Sequence, residues 1–532
     1  MYPKGLHFCM IFLFIVNHTF SQSFGNEWIV YGQPYVKFSV HQQGMHRVTY
    51  SSLLAAGLPA GVSGQSLQLF RDGQEQRLWV SNNGVLSASD YIEFWGEKAD
   101  GRLDRRLYQD TSMQLNPALS LVSDTAYYFI TVNTTTSHLR FQQQVNTIQT
   151  PWNPESYMWR TIRNDYRAEF NPGESAAEGQ YQSPELLNLN LSQYQQEGYV
   201  KRFTTNTDSI IFQLPGVYTQ AGAPAISLHT AAVGRSYTSH QLRIFANNIL
   251  QADSGFQRFD IKRYQLSFPV SIVDANNTLK ISYQNTGIPG DRYGISYAAL
   301  RYPASFSAHN QSSLYVELDP KPTAYQLVFT NVLSAGQPVQ LVDLTRGALY
   351  TADTSVMGEL RFQLPASIQP LQLVLQGTQA AAYKSVTAVK TVQLRNYTQA
   401  LNQGDYIILT DLRYTQGAQG VNPVQAYSDY RKSALGGSFS TTIAYTHELY
   451  DEFGYGYEFS TLALRNFLHY AHSSASWVQK PKHLFIIGRG LEYNSYLAYR
   501  ASSFNSYPYF AVPTFGQPGS DLLLSDFGKN DK

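Results

Sequence analysis

DYIILT, residues Asp405 to Thr410, is a continuous apolar run bounded by polar residues. A run of this length is typical of a strand that is buried on both faces of a parallel sheet. A helix is predicted to follow this strand, because Asn422 and Pro423 are typical of a helix start and Gly436-Gly437 is typical of a helix stop. The sequence therefore predicts a strand followed by a helix in this part of the chain.

The same alternation continues toward the C-terminus. A strand is predicted at Thr441–Tyr445, a helix begins after the cap residue Ser460, and a third strand, His483–Ile487, is bounded by Gly488. The order β-α-β-α-β predicts a doubly wound α/β layer with a parallel sheet. In such a layer, functional residues lie beyond the carboxyl ends of the strands.

In the preceding three quarters of the chain, apolar and polar residues instead alternate with a period of two, which is typical of strands. Val36, Phe38 and Val40 share one face of a predicted strand that turns back at Gly44, and Asp72-Gly73 is a strong hairpin signal. The 37 glycines, 23 prolines and 39 tyrosines suit short strands that are joined by tight turns. These patterns predict β-sandwich modules ahead of the α/β layer.

The chain is therefore predicted to be multidomain, with a β-rich N-terminal portion and an α/β C-terminal portion. The expected segments are a signal peptide (1–22), an N-terminal β-rich domain (23–150), an irregular connection rich in proline (151–185), a β-sandwich region (186–395) and a partial α/β domain (396–532).

Charge and cysteine content exclude several classes of function. The 39 basic and 38 acidic residues leave no electrostatic footprint for nucleic acid. The apolar run Cys9–Val16 is too short to span a bilayer and is typical of a signal peptide, so we expect an exported protein without any other transmembrane segment. Because Cys9 is the only cysteine, the processed chain is expected to contain no thiol nucleophile or disulfide.

Two groups of short motifs occur in order along the chain. The N-terminal group is GMHRVTY (Gly44–Tyr50), AGLP (Ala56–Pro59), LQLF (Leu67–Phe70) and DYIEFWG (Asp90–Gly96). The C-terminal group is YDEFGYG (Tyr450–Gly456), LRNF (Leu464–Phe467), LFIIG (Leu484–Gly488) and VPTFGQPGSD (Val512–Asp521). In this order they resemble the gingipain-type cysteine peptidases, and among them the PorU-like sortases of the type IX secretion system.

The resemblance implies a β-rich region followed by a caspase-like α/β peptidase domain. It implies a cysteine nucleophile activated by a histidine, both downstream of the segment that resembles Ser520-Asp521, and no cofactor. PorU-like sortases remove a C-terminal sorting domain from secreted cargo and attach the cargo to lipopolysaccharide. The implied partners are therefore secreted cargo proteins and type IX secretion components, and the implied location is the periplasm, the outer-membrane surface or the extracellular space.

The resemblance also supplies candidate residues that would line the site without acting as catalysts: Asp521, Ser520, Asp451, Glu452 and Gly488. We interpret Asp451 and Glu452 as part of a solvated loop, or as residues that shape the rim of the cleft. The sequence ends before either catalytic residue is expected, so this chain alone is expected to be inactive, and whether it is an enzyme stays open.

Two other interpretations remain. His469 and His472 have helical spacing that suits a metal, but no third ligand is evident and surface histidines are favoured, so no metal site is predicted. The alternative function is that of a non-catalytic β-rich protein, which would bind at the surface or assist assembly of the secretion apparatus. The many tyrosines also suit a carbohydrate-binding surface protein, although this rests on fold analogy alone.

Overall fold

A computed structural model describes residues 23–108, 110–171, 173, 196–202, 207–286, 291–490, 511–514 and 521–525. Its helices are α1 (Tyr50–Ala55), α2 (Pro423–Lys432), α3 (Thr446–Phe453), α4 (Thr461–Ser473) and α5 (Leu522–Ser525). The strands of the first half are β1 (Tyr35–Val40), β2 (Gly44–Thr49), β3 (Leu67–Arg71), β4 (Gln74–Gln76), β5 (Trp79–Val80), β6 (Tyr91–Gly96), β7 (Ala126–Val132), β8 (Gln142–Gln144), β9 (Met158–Asp165), β10 (Glu169–Asn171), β11 (Gly198–Arg202), β12 (Thr207–Gln213), β13 (Ile226–Gly234), β14 (Ser239–Ala246), β15 (Ile249–Gln257) and β16 (Ile261–Phe268).

The remaining strands are β17 (Thr278–Asn285), β18 (Tyr293–Ala304), β19 (Ser307–Gln311), β20 (Ser313–Leu318), β21 (Tyr325–Val332), β22 (Val339–Asp343), β23 (Ala348–Thr351), β24 (Leu360–Leu364), β25 (Leu371–Gly377), β26 (Thr387–Val392), β27 (Tyr406–Thr410), β28 (Thr441–Tyr445) and β29 (His483–Ile487). This composition confirms the predicted class, a β-rich portion followed by a smaller α/β portion.

An N-terminal sandwich is formed by two sheets, with strand orders β26-β1-β7-β3-β4 and β2-β6-β5. Its core includes Val36, Phe38 and Val40, so the predicted alternation of β1 is confirmed. The hairpin at Asp72-Gly73 is also confirmed, because Arg71 pairs with Gln74 across this turn. The predicted return of the chain at Gly44 is wrong as a hairpin, because β1 and β2 pair with distant strands in different sheets.

The longest sheet contains eleven of the described strands. One large core joins it to two smaller sheets, β12-β17-β14-β15 and β19-β21-β24. Leu300 of β18 shares this core with Ile281 of β17, and Leu373 of β25 shares it with Phe362 of β24. The predicted sandwich region is therefore built from one continuous sheet with two partners.

The prediction of an irregular connection is wrong for residues 158–171, which form β9 and β10. β9 lies inside the long sheet, between β18 and β20. Two arginines interrupt its apolar pattern, and the guanidinium of one of them, Arg163, lies 4.1 Å from the ring centroid of Tyr297. Residues 174–195 of the predicted connection lie outside the described residues.

The α/β part, residues 406–525, contains a parallel sheet with the order β28-β27-β29. Ile408 faces α2 and packs with Val424, while Ile407 and Leu409 face the opposite side and pack with α4. Helices on both faces confirm the predicted doubly wound layer. The helix α3, between β28 and α4, was not predicted.

The α/β part and the β-rich portion pack directly against each other. Tyr457 of the α/β part enters the core of the N-terminal sandwich, and Phe170 and Tyr199 of the long sheet enter the core beneath α4. The strand β26 returns to pair with β1 immediately before the α/β part begins. Within the described residues, no helix combines the length and apolar character that spanning a membrane requires.

Candidate active site

The carboxyl edge of the parallel sheet is the place where a site is expected. β27, β28 and β29 end level with one another, since Thr410 pairs with Tyr445 on one side and with Ile487 on the other. β28 lies on one side of β27 in the sheet and β29 lies on the other side. The direction of the strand order therefore reverses between β27 and β29. Ligands of doubly wound sheets bind at this kind of reversal.

Asp411 follows β27 directly and orders the loop at this edge. Its carboxylate accepts hydrogen bonds from the backbone N–H of Arg413 at 2.9 Å and from the guanidinium of Arg413 at 2.8 Å. Partial burial alone would raise the pKa of Asp411, but these hydrogen bonds and the nearby charge of Arg413 lower it. Asp411 is therefore a fixed carboxylate rather than a free base. Sequence reasoning missed it, although a polar residue that directly follows a buried strand was an available signal.

Gly488 lies directly after β29 and is tightly enclosed. Its φ of 144° is rarely adopted by residues with a side chain, and a Cβ there would lie 3.1 Å from Tyr414 and 3.1 Å from Ala511. The next residue, Arg489, donates its backbone N–H to the Tyr414 hydroxyl at 3.2 Å. Gly488 therefore allows the loops after β27 and β29 to approach each other.

The start of the VPTFGQPGSD motif reaches the same edge. Ala511 donates its backbone N–H to the carbonyl of Arg489 at 3.1 Å, and a Cβ on Gly490 would lie 2.9 Å from Thr514. Residues 511–514 therefore run beside Gly488 and Gly490. Ser520 lies outside the described residues.

Asp521 precedes the short helix α5, and its side chain is exposed. Its carbonyl accepts a hydrogen bond from Leu524, which is buried against the core beneath α4. Partial desolvation raises the pKa of the Asp521 carboxyl. Among the described residues, no hydrogen bond joins this carboxyl to Gly488, so its role as a site-lining residue stays a prediction.

Asp451 and Glu452 lie near the C-terminal end of α3, against the β-rich portion. Asp451 forms an ion pair with Lys37 of β1, and Glu452 accepts hydrogen bonds from the Tyr31 hydroxyl and from the backbone N–H of Arg395. The interpretation as a solvated loop is wrong, because these residues are helical and Glu452 is completely buried. Packing of α3 on the N-terminal sandwich, which local sequence does not reveal, explains the difference.

The two helical histidines differ from each other. His469 is buried and packs edge-on against Phe24 with 5.3 Å between ring centroids, whereas His472 is exposed. The expectation of surface histidines is therefore wrong for His469, because α4 buries more of its surface than the stripe of apolar residues indicated. In the part of the chain that the structure describes, no group of three or more histidine, cysteine or acidic side chains is placed to hold a metal ion.

The order of strands and helices around this edge can be compared with known families. Residues 399–532 match peptidase family C25. This match covers the α/β part and includes Gly488, Asp521 and the segment that borders the sheet edge. The resemblance to gingipain-type peptidases that the motifs indicated is thus supported for this segment.

The whole fold also resembles a solved structure, the dimeric latent PorU from Porphyromonas gingivalis. The TM-score is 0.60 at 13% sequence identity, and the match covers 91% of this chain and 44% of that chain. This chain thus spans less than half the length of that PorU structure. At this identity, the likeness shows a shared fold.

Other similarities are weaker. The CBM36-1 domain of a multidomain xylanase from the hindgut metagenome of Trinervitermes trinervoides matches with a TM-score of 0.17 at 6% identity, covering 26% of this chain and 96% of that domain. This value is too low to support an argument about function. No curated protein sequence matches the chain.

Proposed function

We propose that this chain forms the β-rich portion and the first part of the peptidase domain of an exported, PorU-type gingipain cysteine peptidase. In this role it would contribute to type IX secretion by acting on secreted cargo at the outer membrane. The observation that carries the proposal is the match of residues 399–532 to peptidase family C25. The PorU-like fold over 91% of the chain supports the same assignment.

The proposed reaction is cleavage of a peptide bond through a thioester intermediate. A histidine takes the proton of the thiol, the thiolate attacks the scissile carbonyl, and backbone N–H groups stabilise the oxyanion. The histidine gives this proton to the leaving amine, and water then hydrolyses the thioester, which releases the carboxylic acid and restores the thiol. The loops that follow β27 and β29 would form part of the wall of this site. We propose Gly488, Ser520 and Asp521 as residues of that wall.

Residues 23–532 are proposed to be inactive by themselves. The sequence contains one cysteine, Cys9, within the proposed signal peptide. None of its histidines is assigned as the catalytic base either. The Cys–His pair would therefore have to be supplied from outside these residues.

A cleavage assay tests this proposal. The purified protein is incubated with a mixture of fluorogenic peptides, with and without a thiol alkylator, and no turnover is expected. Turnover by residues 23–532 would contradict the proposal that they are inactive by themselves. The coding sequence after codon 532 gives a second test: a frame that continues with a histidine and then a cysteine, each near an apolar strand, is expected. An immediate stop codon would favour the non-catalytic alternative.

A further inference from the structure

A cavity of about 180 Å³ lies between the β-rich portion and the α/β part, with a lining different from that of the carboxyl edge of the parallel sheet. One wall is the short 3-10 helix Asp104–Leu107, and the opposite wall is the first turn of α4 (Thr461–Ser473). This volume is well above what a single water molecule needs. It is therefore large enough for a small ligand or for the end of a chain.

The first turn of α4 offers unused hydrogen-bond donors to this cavity. Ser460 is the N-cap residue, but its side chain accepts no hydrogen bond from the helix. Among the described residues, no group accepts a hydrogen bond from the backbone N–H of Leu462 or Ala463. Unpaired N–H groups and the helix dipole make such an end attractive to anions.

Thr461 provides a second observation at the same place. Its side chain is 1% exposed, it lines the cavity, and its hydroxyl has no hydrogen-bond partner. A buried hydroxyl without a partner is unfavourable, and a ligand that accepts its hydrogen bond would remove this cost. The hydroxyl and the open helix end therefore point to the same kind of ligand, a hydrogen-bond acceptor.

Arg106 supplies a positive charge at the edge of the cavity. It forms no ion pair with any described carboxylate, whereas Asp100, which also lines the cavity, is held by Arg102 at 2.6 Å. The other acidic residue, Asp104, accepts a hydrogen bond from the N–H of Leu121 at 2.7 Å, and burial raises its pKa to about 7. The two carboxyl groups are thus already engaged, while the guanidinium of Arg106 is available.

The remaining lining is apolar and includes Leu103, Leu107, Val122 and Phe453. We propose that this cavity binds a carboxylate that carries a small apolar group, with the carboxylate at the first turn of α4 beside Arg106 and the apolar group against these side chains. Either the C-terminus of a peptide with an apolar last residue or a free short-chain carboxylic acid has this chemistry. The proposal does not depend on the peptidase assignment.

Calorimetric titration of the purified protein tests the proposal. Isocaproate represents the free acid, and acetyl-Gly-Gly-Leu with a free C-terminus represents the peptide. Each is compared with its amide, which has nearly the same shape but no charge. Binding of either acid, with affinity at least about tenfold above that of its amide, is expected. Binding by the peptide alone identifies a peptide C-terminus as the source, and binding by isocaproate identifies a free acid.

Three variants locate the ligand. Arg106→Gln is expected to weaken binding roughly tenfold. Thr461→Val is expected to weaken it several-fold. In Ser460→Asp, the new carboxylate of the protein itself accepts hydrogen bonds from the first turn of α4 and so occupies the place of the ligand's carboxylate. We therefore expect this variant to lose binding and, because the helix is better capped, to have a higher melting temperature. Arg105→Gln is the matched control, because Arg105 is exposed in the same 3-10 helix but does not line the cavity. It should bind like the unmodified protein.

Two results would overturn the proposal. One is that neither acid binds at concentrations up to about 10 mM, because a dissociation constant above this value would be too weak for a functional site. The other is binding that the amides match, or that Arg106→Gln and Ser460→Asp leave unchanged. Since Arg106 is exposed and aspartate is a favourable cap residue, neither substitution should prevent folding.

Discussion

Glu452 is a buried ionisable residue at the junction of the two portions of the molecule. It is completely buried, and its neighbours are the Tyr31 hydroxyl, the backbone N–H of Arg395, the side chain of Asn26 and the carboxyl of Glu448. Burial raises the pKa of Glu452 to about 8, although hydrogen bonds from Tyr31 and Arg395 oppose the shift. The folded protein therefore holds a proton that the unfolded chain releases at much lower pH.

Substitution of Glu452 should change how stability depends on pH. Between the ordinary glutamate pKa of 4.5 and the raised pKa of about 8, the folded state binds more protons than the unfolded state, so stability falls as pH rises. The slope from this residue is at most about 1.4 kcal/mol per pH unit. Glu452→Gln keeps a neutral side chain, so we expect similar stability at pH 5 and higher stability than the unmodified protein at pH 8.

Urea unfolding midpoints measured from pH 5 to pH 9 check this prediction. Glu458→Gln is the control, because Glu458 is exposed and should leave the profile unchanged. If Glu452→Gln and the unmodified protein lose stability in parallel as pH rises, Glu452 is ionised in the folded state and the assignment fails.

Lys37 and Asp451 link β1 to α3 across the same junction. The lysine side chain is 3% exposed and its partner 16%, so water screens the pair poorly. Lys37→Met should cost about 3 kcal/mol of unfolding free energy, because Asp451 loses its partner. Adding Asp451→Leu should recover part of this loss.

Denaturant unfolding of the single and double variants measures the coupling between the two side chains. Lys390→Met is the control, since Lys390 lies opposite Lys37 on β26 but is exposed. Additive losses from Lys37→Met and Asp451→Leu would show that the two side chains do not interact in solution.

At the scale of elements, the loop after β29 depends on one glycine. Gly488→Ala combines an unfavourable φ with close contacts to Tyr414 and Ala511, so we expect a loss of roughly 2 kcal/mol. Gly420→Ala is the matched control: its φ of 76° is also positive, but a Cβ there has nothing within 4 Å. Thermal unfolding should show a clearly larger loss for Gly488→Ala. Equal losses would mean that the loops are not in contact.

Elements with strong local signals were predictable. β27 follows from its continuous apolar run, and α2 follows from Asn422, whose side chain accepts hydrogen bonds from Val424 at 3.1 Å and Gln425 at 3.0 Å. α3 was missed although its buried residues Leu449, Tyr450 and Phe453 have helical spacing, because the nearby glycines and acidic residues favoured a solvated loop. β9 was missed because Arg160 and Arg163 interrupt its apolar pattern and its partners are far away in sequence.

The candidate site was predictable to a similar extent. The position of Gly488 follows from its place after an apolar strand, since parallel strands end at the same edge. The contacts of Asp451 and Glu452 depend on Lys37, Tyr31 and Arg395, which are distant in sequence. Pairing over such distances has no local signature, so the sequence indicated only a solvated loop or the rim of a cleft for these two residues.

At the scale of the whole molecule, the two portions share their cores. Tyr457 is 5% exposed within the core of the N-terminal sandwich and donates a hydrogen bond to Asp72 at 3.3 Å. Removing this side chain by Tyr457→Ala should cost about 3 kcal/mol or more. Because the contact joins the portions, hydrogen exchange should accelerate in peptides from both β1 and α4. Faster exchange in α4 alone would show that the portions unfold independently.

We have proposed that this chain is part of a sortase-type cysteine peptidase that processes secreted cargo. The most direct test of this proposal is disruption of the gene in the source organism, followed by mass spectrometry of exported proteins. We expect cargo proteins to keep their C-terminal sorting domains in the disrupted strain and to lose them again when the gene is restored. Cargo that is processed normally without the gene would contradict the claim.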